Sequence, residues 1–246
     1  MKNYFWADFH RIMTKKSRIF LVILLAAAEG MFILKDILSD RNIIEATNNI
    51  GRLDLLYING IMLANIWISF GDDIRAKSMQ AALGIGIKRY QIVITKWMTM
   101  IGISVLDIAF LMAVQVIPLM AAGRLAGGFV MEQMIFRQIS NILLIIVMMP
   151  LTMTVLFQTQ KAILGVLAYT YLTLGITDFM ISMAVANKIV QKFQLWNIGA
   201  ADQVSIFLSK LLIGQFDIRN FLVIVCYFAF GLGAAIYLFQ KKELDF

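Results

Sequence analysis

Nineteen consecutive residues, Phe221–Phe239, carry no charge, and a run of that length leaves a chain few options. About 20 apolar residues in a helix cross the roughly 30 Å hydrocarbon core of a bilayer. The same reading recurs along the chain, with spans expected at 19–34, 53–70, 97–120, 136–157, 162–186 and 221–239. Composition agrees. Hydrophobic residues make up 61% and charged residues 15% of the 246, against about 45–50% and 25% in soluble domains. The expectation is an all-α membrane protein, a single transmembrane domain over residues 1–246. The apolar run after the basic leader continues past Ala26–Ala28 to Leu34, which argues against a cleaved signal peptide.

Charge sets orientation. Net charge is +7, which in a soluble protein would suggest nucleic acid, but here the cations flank apolar runs. Lys2, Arg11, Lys15, Lys16, Arg18, Arg75, Lys77, Lys88, Arg89, Lys96, Lys161, Lys241 and Lys242 all fall on one side if both termini are cytoplasmic, and the acids Asp36, Asp40, Glu45 and Asp54 crowd the first outer loop. The Lys/Arg bias favours that arrangement. It puts Lys16, Arg75, Lys161 and Phe246 inside, and Asp40 and Trp196 outside. The chain has one cysteine, Cys226, and one histidine, His10. That excludes a disulfide framework, a Cys-based zinc site and HExxH chemistry.

Three segments outside the spans have a pattern of their own. In the leader, Phe5, Phe9, Ile12 and Met13 share a helical face, with His10, Arg11 and Lys15 away from it. This predicts a helix in the membrane interface. Between spans two and three, Asp72 and Asp73 open a stretch that reads as a short helix started by two acids. Gly84 and Gly86 break it, and Lys88 and Arg89 precede the helix that runs into span three. An exposed helix–turn–helix and a solvated loop whose cations merely follow the positive-inside rule are both open here. In the outer segment 187–218, Val204, Phe207, Leu208, Leu211 and Leu212 form an amphipathic stripe, with Asp202 placed to cap it.

This order of elements resembles the type-2 export permeases of the ATP-binding-cassette (ABC) superfamily. The likeness is strongest at Asp72–Lys96, with its acidic start, its small-residue turn and the run Gly-Ile-Gly-Ile-Lys-Arg-Tyr-Gln-Ile-Val-Ile-Thr-Lys. Where the family often has Glu before its coupling helix, this chain has Asp73. The resemblance implies an interfacial helix, six spans, a cytoplasmic coupling helix between spans two and three, and short outer helices before span six. It implies that Asp72, Asp73, Arg75, Lys77, Gly84, Lys88, Arg89 and Lys96 couple to a separate cytoplasmic ABC ATPase. That ATPase dimer would hold the ATP and Mg, and a second permease copy or a related permease would complete the transporter. The chain has no Gly-x4-Gly-Lys-Ser/Thr loop, so no ATP hydrolysis is expected in it and no cofactor of its own. The family also suggests a bacterial plasma membrane and, as cargo, an amphipathic antimicrobial peptide, a drug or a lipid-like molecule.

Three carboxylates, Glu29, Asp107 and Asp178, fall inside expected spans, while Asp54 stands at the outer edge of the second. An uncompensated charge at mid-bilayer costs about 2.5–3.5 kcal/mol on insertion scales, so intramembrane acids are candidates for function by default. Tyr169, Thr173 and Thr177 precede Asp178 at four-residue spacing. They either line a substrate pathway with Glu29 and Asp107 or hydrogen-bond a neighbouring helix, the second being the plainer reading. The rival function is an ATP-independent carrier or channel that uses Asp107 and Asp178 as an ion relay. An intramembrane hydrolase would need a catalytic dyad, which the chain lacks.

Overall fold

The described part of each apolar run folds as a helix, and among the described residues there is no strand. The computed structural model describes residues 2–38, 43–123, 128–173 and 199–242. In chain order the helices are α1 (Lys2–Met13), α2 (Lys16–Leu38), α3 (Ile43–Arg75), α4 (Ser78–Gly84), α5 (Arg89–Ala121), α6 (Gly128–Thr159), α7 (Ala162–Thr173), α8 (Ala200–Leu212) and α9 (Ile218–Lys241). Four of them are long and apolar enough to cross a membrane: α2, α5, α9 and the Met131–Thr159 part of α6. Helix α3 contains the second expected span and α7 the start of the fifth. The rest of that span, with Thr177 and Asp178, lies outside the described residues, as do Asp40, Trp196 and Phe246.

The helices form one bundle in which α9 packs mainly on α6, α7 on α3 and α6, and α2 on α3 and α5. Lipid tails are as apolar as the core, so close packing and polar contacts hold such a bundle rather than burial from water. Where α6 meets α9, a Cβ on Gly231 would sit 3.0 Å from the Leu151 backbone nitrogen and 3.1 Å from Pro150. A larger residue there would force the two helices apart by a few tenths of an ångström. Gly231 and the fully buried Ala235 thus form the small-residue seam of α9, whereas Ala229 and Gly233 point outward. Phe20 and Met31 on α2, Ile117 on α5 and Phe230 on α9 lie exposed on the bundle surface. An apolar exterior of this kind is what a bilayer covers.

One local expectation gains a protein partner and two are corrected. Helix α1 turns its apolar face into the protein: Phe9, Ile12 and Met13 pack with Ile68 of α3 and Ile103 of α5. Asp72 and Asp73 do not start the short helix. They end α3, where the helix dipole disfavours acids, and cations from α1, the α1–α2 turn and α5 compensate them. Asp202 does not cap α8 either, because Ala200 and Ala201 extend the helix back to Gly199 at the N-cap, leaving Asp202 in the first turn. Val204, Phe207 and Leu208 of that stripe are buried, but Leu211 and Leu212 are exposed. The cap that does form is Asp217 on α9, whose carboxylate accepts from the backbone N–H groups of Arg219 and Asn220 at 3.0 and 3.3 Å. Lys210 also donates to it, and that bond first, then the cap, holds the Asp217 carboxyl below its usual pKa.

Candidate functional site

Six charged side chains from α1, the α1–α2 turn, α3 and α5 converge beneath α4. Lys96, fully buried on α5, donates to both carboxylate oxygens of Asp8 at 2.8 Å and pairs with Asp73. Its ammonium lies 5.8 Å from the centre of the Phe70 ring, a further favourable site for a cation. Arg11 reaches Asp8 at 2.7 Å and Asp73 at 2.9 Å, and Lys15 pairs with Asp72. Three cations thus balance three carboxylates, and burying Asp8, Asp73 and Lys96 among them is tolerable because each is paired. Burial opposes the Arg11 charge, but Asp73, Asp8 and Asp72 outweigh it and hold the guanidinium more firmly protonated than usual. The Tyr4 hydroxyl, half-buried above the cluster, has its pKa raised by burial first and then by Asp73 and Asp8.

The short helix rests on this cluster. Ser78, its first residue, donates to Asp73 at 2.6 Å, while Met79 and Ala82 are buried against the bundle. Lys77 precedes it in the left-handed region at φ 51°. After Gly84 the chain reverses through Gly86 at φ 89°, a conformation glycine adopts without strain. Gln91 then accepts from the Lys88 backbone N–H at 3.0 Å and starts α5. Lys77, Ile85 and Lys88 are left pointing outward, Ile85 at 80% exposure. Beside α4 lies a cleft of about 50 Å³ lined by Met79, Leu156, Phe157 and Phe239, with Lys77 and Gln160 at its rim.

The candidate coupling residues therefore divide. Lys77 and Lys88 are on the surface. Gly84, exposed, ends α4. Asp73 and Lys96 are internal, and Asp72 is half-buried under Lys15. Arg75, exposed, lines a groove between α2 and α3. Arg89 closes the far end of another helix, donating to the carbonyls of Phe239, Gln240 and Lys242, with the Phe239 contact at 2.7 Å.

About 16 Å further along α5 from Lys96, three helical turns on the same face, is Asp107. Its partner is Arg18, which the sequence suggests would reach back toward water. Arg18 is instead buried, pairs with Asp107 and donates to Asn65 at 3.0 Å, and Asn65 donates to Asp107 at 2.8 Å. The void next to Asp107 is only about 10 Å³, walled by Ile58, Ile108 and Leu111 among others. Toward the other end, Gln115 donates to Glu29. Tyr169 and Thr173 face the bundle, and the Thr173 hydroxyl donates to the Tyr169 carbonyl at 2.8 Å. None of the cavities described joins Glu29, Asp107, Tyr169 and Thr173. Among the described residues, no group of His, Cys, Asp or Glu side chains could hold a metal ion.

No protein-family model matches this chain, and no curated protein does.

Two of these partners, Asp8 and Asn65, carry a signal in the sequence. Asp8 sits between Tyr4 and Ile12 at four-residue spacing, an acid on an apolar face. Asn65, Ser69 and Asp73 form a polar stripe at four-residue spacing along the last part of α3.

Proposed function

We propose that this chain is the membrane-spanning subunit of an ABC-type exporter, driven by a separate cytoplasmic ATPase that docks on α4. On this reading α2, α3, α5, α6, the helix begun by α7, and α9 are the six spans, both termini are cytoplasmic, and two such subunits form the pathway. The cargo class is an amphipathic peptide, drug or lipid-like molecule, and the membrane is a bacterial plasma membrane.

One observation carries the proposal. A two-turn helix is flanked by Lys77, Ile85 and Lys88, which point outward, while Ser78 and Asp73 tie its underside to buried charges on α1 and α5. A push on α4 is thus delivered to three helices together, because breaking those buried pairs is far more costly than moving them as a unit. A solvated loop that only obeyed a charge rule would need no such anchoring. The ion-relay alternative has less support, since Asp107 is held by Arg18 and Asn65 beside a void with room for about one water.

The test is charge reversal on the exposed side. Lys77→Glu with Lys88→Glu leaves the buried pairs intact, and should abolish both co-purification of the ATPase and substrate-stimulated ATP turnover while the subunit still inserts. Unchanged turnover in that variant would refute docking on α4.

A further inference from the structure

A second feature at the α4 end has a different chemistry. Helices α2 and α3 diverge to leave an open groove of about 460 Å³ on the bundle exterior, within the roughly 300–1,000 Å³ typical of ligand clefts. Its floor is kept low by Gly60 and Ala64, and Leu21 and Trp67 form its apolar walls. The mouth is polar, with Lys15, Ser17 and Arg75. From Gly60 to Arg75 is about 22 Å along α3, the scale of one bilayer leaflet with its headgroup.

Charge decides the occupant. Asp72 also reaches the mouth, but Lys15 neutralises it. The exposed Arg75 guanidinium has no ion pair among the described residues, so the mouth carries an unbalanced positive charge above an apolar slot. Trp67, 42% exposed, stands at the wall, where an indole suits the boundary between acyl chains and headgroups.

We infer that this groove holds one anionic phospholipid of the leaflet at the α4 end. Arg75 and Ser17 bind its phosphate, and an acyl chain lies over Gly60 and Ala64 against Trp67. The inference requires only that the chain sits in a bilayer, and it stands or falls separately from ATPase docking.

Trp67 is a local reporter. The protein is placed in phosphatidylcholine nanodiscs containing increasing fractions of phosphatidylglycerol brominated in its acyl chains, or of phosphatidylcholine brominated alike. The Trp67 contribution is the difference between wild type and Trp67→Phe. Brominated phosphatidylglycerol should half-quench Trp67 at a mole fraction about fivefold lower than the phosphatidylcholine, the preference one cation gives an anionic headgroup near a membrane surface. Arg75→Gln, at an exposed side chain with no ion pair to lose, should remove that preference. Ala64→Phe, which fills the slot, should weaken quenching by both lipids. Equal quenching by the two lipids in wild type, or an undiminished preference in Arg75→Gln, would overturn the inference.

Discussion

The two buried charge sites on α5 are built from the same chemistry and should fail differently. Beneath α4, three cations and three carboxylates share partners near the protein surface, and Arg11 is partly open to water. In the apolar middle of the bundle, Arg18 and Asp107 have only each other and Asn65. Removing one member of the first site leaves charges that others partly neutralise. Removing one member of the second strands an ion beside a void with room for about one water and with no other charge paired to it among the described residues.

The largest effect is therefore expected at Arg18. Arg18→Met should cost about 3–5 kcal/mol, the usual penalty for stripping one partner from a buried pair, whereas Arg18→Met with Asp107→Leu should recover most of it. Unfolding in mixed micelles measures the cycle, and a double variant no better than the single would contradict the isolated-pair description. Asp107→Asn belongs with the damaging changes, because it strands the Arg18 charge. Loss of transport in that variant would not by itself identify a functional acid.

Lys96→Met should cost less, about 2–3 kcal/mol. Asp8 and Asp73 lose their shared ammonium but keep Arg11. Arg11→Gln should cost under about 1 kcal/mol, as for a solvent-screened pair. Equal losses at Lys96 and Arg11 would show that the cluster is uniformly wet and would erase the contrast within it. The smallest effect is at Asp217, outside both sites. Its lowered pKa means that the contribution is present above the unfolded carboxylate value of about 3.9 and is lost as pH falls through the folded value below it. Thermal midpoints of wild type and Asp217→Asn should differ slightly at pH 7 and converge in acid.

Helix existence was largely legible in the sequence, because long apolar runs have a single common solution and the described parts of all six expected spans are helical. Partners were not. Arg18 at the start of an apolar run looks like a residue that reaches for water, and only the approach of α3 and α5 shows that an internal acid holds it. Asp73 looks in sequence like the opening of a helix, because α3 runs past its apolar run to Arg75 and nothing local marks that extension. The Asp72–Arg89 segment was identifiable as the exposed connection. Which of its charges face outward depends on α1, whose apolar face could have been covered by lipid or by protein.

The proposed docking of a separate ATPase on α4 is tested by a photo-crosslinker at Ile85. With p-benzoylphenylalanine replacing Ile85 in the native cell, illumination should give an adduct to a protein bearing a Gly-x4-Gly-Lys-Ser/Thr loop. The same group at Phe20, on the apolar exterior of α2, should give none. No ATPase adduct at Ile85, or an equal one at Phe20, would contradict the account.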